Sequence, residues 1–413
     1  MKRYTFLLLF LTLALSCRHP EVELVDFSGT QDFEIVSVKS SAYFLEDGSL
    51  NPEVAVMNDT EWSPEESVET RVASTQAATF VRDMLGSMNT NNLIHITGYF
   101  MGHDVDGTPL KQSGKLVVPA SGPVKNLILV SHYTIGANFE CPSETFPMEA
   151  IFAAKGYAVV IADYIGFGLT AERVHPYMHI KSTAQSVVDM AVAAKPYLEK
   201  IGRKPESEEV YLFGYSQGGS TTLAVMRMLQ EEYSSLFPIT QVYAGGGPYD
   251  RAATFDVSME LGVTGIPCAI PMIVQGVNEG EKLGLDMKDF FKPRLLENYN
   301  EWINSKHYTV KQINQNIQSN DLHDIMTDAG RDKSSKETAR LYKALLDNST
   351  LRFRPLSPIY LFHSRQDQTV PFVNAQRAEE AFNHVDIHKD FGDYGKHAMG
   401  CVRFILTAYK DLP

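Results

Sequence analysis

The chain has 413 residues, enough to bury one large core or two modest ones, and its apolar share of 44% is that of a globular protein. Lys plus Arg number 37 against 50 Asp plus Glu, a formal net charge of −13, and no basic block occurs beyond Lys2-Arg3, so a nucleic-acid partner is not expected. No internal apolar run reaches bilayer-spanning length.

The N-terminus reads as a targeting segment. Lys2 and Arg3 give a positive start, and Phe6 to Leu15 is almost wholly apolar but too short to span a membrane comfortably. Ala14-Leu15-Ser16-Cys17 follows. A small residue before cysteine resembles the lipobox of bacterial lipoproteins, which makes Cys17 the acylated first residue. Ala14-x-Ser16 also fits a plain signal-peptidase site. The lipoprotein reading is preferred: residues 1–16 are a signal peptide, and the mature chain is exported and anchored to a bacterial membrane by its lipid. The other reading leaves it periplasmic or secreted. Cys141, Cys268 and Cys401 allow one bridge and one free thiol, or no bridge. None has the spacing of a zinc site.

Residues 17–60 are mixed and acidic, and are expected to form a tether and irregular structure. Ser63-Pro64-Glu65-Glu66 is a helix start, with serine at the cap and proline in the first turn. That helix is expected to run to about Met88. Leu93 to Met101 and Leu110 to Val118 alternate around the turn chemistry of Asp104 to Thr108, which predicts an antiparallel hairpin. Leu127 to His132 is continuous and apolar, as in a strand buried on both faces. Met148 to Lys155 reads as a helix ending at Gly156, Tyr157 to Asp163 as a second buried strand, and Thr183 to Ile201 as a long amphipathic helix.

Val210 to Phe213 is a short buried strand, and Gln217 to Gln230 has helical periodicity. Between them lies Gly214-Tyr215-Ser216-Gln217-Gly218, a G-x-S-x-G match. A strand that turns at once into a helix crowds its backbone, and glycines two residues either side of the serine remove the clashing Cβ atoms. The serine Oγ then stands at a helix N-terminus, where N–H groups favour developing negative charge. Gln241 to Ala244 is a further strand. Residues 251–350 are mostly polar helical segments carrying Phe255, Phe290, Phe291 and Trp302. Ile359 to His363 is a strand, Ala375 to Phe382 a helix, Ile387 to Phe391 a weak strand and Ala398 to Leu412 a closing helix. Strand–helix alternation implies a parallel sheet with right-handed crossovers.

A serine hydroxyl needs a base, and the base an orienting acid. In the chain order serine, acid, histidine, Asp367 follows the 359–363 strand and His397 follows the last weak strand. Both lie past strand C-termini, where open α/β sheets bind ligands. His384 and His388 are rivals for the base, and Asp390 and Asp393 for the acid. Asp163 follows a strand but precedes the serine, so its expected job is to fix its own loop. The tetrahedral intermediate needs two N–H donors. One is expected from Gln217; the other from Tyr133 or Thr134, in the loop after the 127–132 strand.

Four stretches carry a resemblance: the His132–Ser143 loop ending Cys141-Pro142-Ser143, Asp163-Tyr164-Ile165-Gly166-Phe167-Gly168, Gly214 to Gly219, and the Asp367 and His397 loops. Over residues 93–413 the chain resembles the α/β-hydrolases, and within them the secretory lipase-like group. The resemblance implies an α/β-hydrolase fold: a mostly parallel twisted sheet, helices on both faces and an inserted helical cap over an acyl pocket. It also implies an esterase or lipase with Ser216, Asp367 and His397 as triad. Many relatives carry His-Gly where this chain has His132-Tyr133, a bulkier pair beside the oxyanion site. The expected division is a hydrolase core over 61–250 and 351–413, with the cap as 251–350.

The expected activity is cleavage of a small-molecule carboxylic ester through an acyl-enzyme, with no cofactor, metal or obligate protein partner. A peptidase with the same triad is the alternative within the class. A ligand-binding surface lipoprotein on a retired hydrolase scaffold is the alternative outside it. His175 and His179 sit four apart, but Pro176 breaks the helix pattern a metal pair would need. Gly245-Gly246-Gly247 lacks the Lys-Ser/Thr of a phosphate loop and reads as a tight turn.

Overall fold

The computed structural model describes residues 28–46, 49–57 and 92–413. The leader, Cys17 and the helix expected from Ser63 to about Met88 lie outside the described residues. Strands β1 (Phe33–Ala42), β3 (Asn92–His103), β4 (Pro109–Pro119), β5 (Leu127–Ser131), β7 (Ala158–Ala162), β8 (Val210–Tyr215), β9 (Ile239–Gly245), β10 (Ile359–Ser364) and β11 (Ile387–Gly392) form one sheet. Their spatial order is β1-β3-β4-β7-β5-β8-β9-β10-β11. The short β2 (Val54–Ala55) and β6 (Phe146–Pro147) pair separately. β1, β3, β4 and β7 pair antiparallel, and from β7 to β11 every pairing is parallel. From β5 the chain passes to β7 on one side and then to β8 on the other. That reversal opens a crevice at the carboxyl ends of β5 and β8.

The central strands are apolar without a break because both faces are covered. Leu127, Leu129, Leu212 and Val242 face one core with α2 (Ile180–Lys200) and α3 (Gln217–Glu232). Ile128, Val130, Phe213 and Phe362 face the other with α1 (Ile151–Ala154) and α12 (His397–Asp411). The fold class is therefore α/β with a mostly parallel sheet, as expected.

Between β9 and β10 the chain forms α4 (Arg251–Leu261), α5 (Ala269–Gly280), α6 (Pro293–Tyr299), α7 (Val310–Ile317), α8 (Leu322–Ile325), α9 (Asp328–Arg331) and α10 (Lys336–Asp347). Phe290 and Phe291 lie in a separate apolar core there, packed with Tyr177 and Met178 from the loop before α2. α11 (Val373–Ala381) follows β10. Among the described residues no helix is long and apolar enough to cross a membrane, and Cys141, Cys268 and Cys401 are buried free thiols.

One expectation needs correction. Residues 17–60 contain a ten-residue strand, β1, on the edge of the sheet. Only Phe33 in it is fully buried, so it lacks the apolar alternation that marks an inner strand.

Candidate active site

β8 ends at Tyr215 and α3 begins at Gln217, so Ser216 must reverse the chain alone. It sits at φ 59°, ψ −124°, a region that costs a non-glycine residue about 1–3 kcal/mol. Neighbours hold it there. The Ser216 N–H donates to the Gly245 carbonyl at 2.9 Å. A Cβ on Gly218 would collide with the Ser131 carbonyl, and one on Gly214 with the Gly218 carbonyl and Thr222 Oγ1. The two glycines of the motif are therefore required by backbone-to-backbone approach.

Asp367 and His397 come together. The His397 Nδ1 lies 2.6 Å from the Asp367 Oδ2. The other oxygen, Oδ1, accepts the N–H groups of Thr369 and Val370, each at 2.9 Å. Burial works against the charge on Asp367, but His397, its hydrogen bond and His363 together with the Val370 N–H outweigh it and hold the carboxyl below its ordinary range. The Tyr215 hydroxyl donates to the His397 carbonyl at 2.9 Å, and the two rings lie 4.9 Å apart. The residue before Ser216 thus fixes the first turn of α12, which carries His397. Ser216, His397 and Asp367 are 5%, 1% and 8% exposed, so bulk water is largely kept from all three.

The rivals lie elsewhere. His384 and His388 are exposed, and His388 stacks on Tyr360 with ring centroids 4.5 Å apart. Asp390 accepts hydrogen bonds from Tyr360 and Tyr394, and Asp393 is exposed. Asp163 is buried and raised by that burial; it accepts from Ser113 Oγ at 2.6 Å and from the Ser143 N–H at 2.8 Å, tying its own loop to β4 and to the loop that carries Ser143.

Gln217 opens α3 beside the loop after β5, since a Cβ on Gly218 would also lie against the His132 carbonyl. Thr134 Oγ1 is 2.7 Å from the Tyr177 hydroxyl. Tyr133 is half-buried and packs between two apolar clusters, its phenol pushed well up by burial.

Three other groups stand near this site in roles that spacing along the chain does not signal. The Gln217 side-chain Nε2 lies 3.2 Å from His175 Nε2, whose Nδ1 is 2.6 Å from the Ile165 carbonyl. Burial lowers His175 to about 3, so a neutral imidazole accepts from Gln217 there. His363 Nε2 lies 3.0 Å from the Val370 carbonyl and 3.7 Å from Asp367 Oδ2, beneath the carboxylate. The Gly245–Gly247 turn buttresses Ser216 as well as turning the chain. Among the described residues no His, Cys, Asp and Glu group could hold a metal ion.

A strained serine at a strand-to-helix turn, on a mostly parallel sheet with helices on both faces, defines the α/β-hydrolases. A family model described as secretory lipase matches residues 142–391, and the chain belongs to that family. Membership places it among ester hydrolases. No curated protein matches the chain significantly. Among solved structures it is similar to a Legionella pneumophila protein at 23% identity and TM-score 0.70, over 91% of this chain and 97% of that one. The rice cell wall degrading esterase LipA of Xanthomonas oryzae is 24% identical with TM-score 0.67, over 80% and 92% of the two chains. Candida antarctica lipase A is 16% identical with TM-score 0.54, over 76% and 75%. At these identities the likeness is one of fold.

Proposed function

We propose that the protein is a serine esterase or lipase that works through an acyl-enzyme. Ser216 Oγ attacks the ester carbonyl carbon while His397 Nε2 takes its proton. The tetrahedral oxyanion is held by the Gln217 N–H and by that of Tyr133 or Thr134. Collapse expels the alcohol, which receives the proton from His397. Water then attacks the acyl-enzyme by the same route, and the acid leaves. Asp367 keeps the His397 Nδ1 protonated and steadies the imidazolium. The helical segment 251–350 serves as the cap between the core parts 61–250 and 351–413. No metal or organic cofactor enters these steps.

The observation that carries this reading is the 2.6 Å Asp367–His397 bond, on a helix turn fixed by the residue preceding Ser216. The test is release of p-nitrophenol from short acyl esters. Ser216→Ala is expected to lower turnover roughly 10⁴-fold or more, and a fluorophosphonate probe is expected to label the wild type and not the variant. Unchanged turnover in that variant would remove the serine from the mechanism. Export with Cys17 acylated completes the reading, and the mass of the mature N-terminus checks it.

A further inference from the structure

Beyond His175 lies a pocket whose wall carries a charge that ester cleavage does not use. Loop residues Gly136, Phe167, His175 and Tyr177 line it with Met272 and Lys306 of the helical segment. We propose that Lys306 makes this pocket an anion subsite, so that the preferred esters carry a carboxylate at the far end of one chain; this rests on the ester-hydrolase reading of Ser216.

A single residue, Gln217, links the nucleophile to the pocket wall. Gln217, next to Ser216, holds His175 Nε2 at 3.2 Å. The His175 and Phe167 rings lie 5.0 Å apart, and Lys306 Nζ lies over Phe167, 5.6 Å from its centroid. The free space is about 20 Å³, room for about one water. Only the tip of a ligand fits, and Met272 is the wall most able to yield.

The wall groups differ in what they have left to give. His175 is bonded at both nitrogens, and the Tyr177 hydroxyl pairs with Thr134. Lys306 is 6% exposed and, among the described residues, makes a single side-chain hydrogen bond, 3.1 Å to the Arg173 carbonyl. An ammonium has three donors. No described carboxylate stands within ion-pairing distance of it. The Arg173 guanidinium is engaged by Asp104 at 2.5 Å, and Glu172, the carboxylate whose field reaches Lys306, is exposed. A buried cation with spare donors is costly unless an anion joins it. The backbone of Lys306 is also held at φ 58°, against the preference of an L-residue. Its carbonyl accepts the Asn138 N–H at 2.8 Å, which ties this conformation to the loop after β5.

The test compares p-nitrophenyl monoesters of dicarboxylic acids, from succinate to suberate, with neutral acyl esters of equal length. Acetyl esters of glycolate and ethanol compare the alcohol side in the same way. At pH 7 the wild type is expected to prefer a carboxylated member on one side. Lys306→Met is expected to lose about tenfold to hundredfold in kcat/KM on that ester alone, the loss of a charge-assisted hydrogen bond. Neutral-ester turnover reports whether the variant is folded. The wild type supplies a second reading that needs no variant. Burial lowers Lys306 to about 8, so the preference should fade as pH rises through that value. His175 stays neutral over this range, as does Tyr177, whose hydroxyl burial pushes up. Neutral esters cleaved with no Lys306-dependent preference on either side would overturn the subsite and leave the hydrolase reading standing. A wild type that cleaves none of the esters would overturn both.

Discussion

Asp367 and Glu149 are both buried carboxyls, and the structure treats them oppositely. Asp367 receives two backbone N–H groups and His397, and stays ionised. Its folded pKa is depressed, so its contribution to stability is present above the unfolded value and is lost as pH falls through the folded one. Asp367→Asn is expected to cut kcat by about 10⁴-fold, because the imidazole then adopts the wrong tautomer; steady-state kinetics on a p-nitrophenyl ester checks it. Glu149 is raised to about 7 by burial, with only its own N–H working against that. Its folded pKa lies above the unfolded value, so folding is unpenalised below pH 4.5 and loses stability as pH rises through 7. The loss is on the order of 3 kcal/mol. Glu149→Gln is therefore expected to be more stable than wild type at pH 8 and equal to it at pH 4, measured as urea midpoints. Equal midpoints at both pH values would show that Glu149 finds a partner for its charge.

The β8–α3 turn is an element-scale device. Gly218 lets the first turn of α3 rest on the end of β5, against the Ser131 carbonyl. Backbone cannot yield there as a flexible side chain could. Gly218→Ala is expected to destabilise the fold by about 2–4 kcal/mol and to depress activity more than that loss explains. Denaturation midpoints and specific activity of the folded fraction separate the two effects. The G-x-S-x-G pattern and its flanking periodicities were legible because the crowding is local in sequence. The Gly245–Ser216 bond and the Tyr215–His397 contact join segments 29 and 182 residues apart, and no spacing along the chain encodes them.

At the scale of the whole molecule, β1 closes one edge of the sheet. It pairs with β3 from Phe33 to Ala42, and the Phe33 ring packs 5.1 Å from that of Tyr197 on α2. A chain beginning at Tyr43 leaves the β3 edge and its apolar flank open, and such edges template pairing. That chain is expected to associate, seen as a shift to oligomers in size-exclusion chromatography with light scattering. A monomer with unchanged melting would contradict it.

Amino-acid order alone determined the run of doubly buried strands, the strained turn at Ser216, and the placing of Asp367 and His397 after strand ends. Each of these is written in short-range pattern: continuous apolar residues, glycine spacing, position after a strand. Tertiary structure decided the rest. β1 joins the sheet through backbone hydrogen bonds, which any side chain permits, so its sequence carries little trace of them. The pairing of Asp367 with His397 rather than with His384 or His388, and the meeting of Lys306 with Phe167 and His175, depend on where separate loops arrive once the sheet has twisted and the helices have packed.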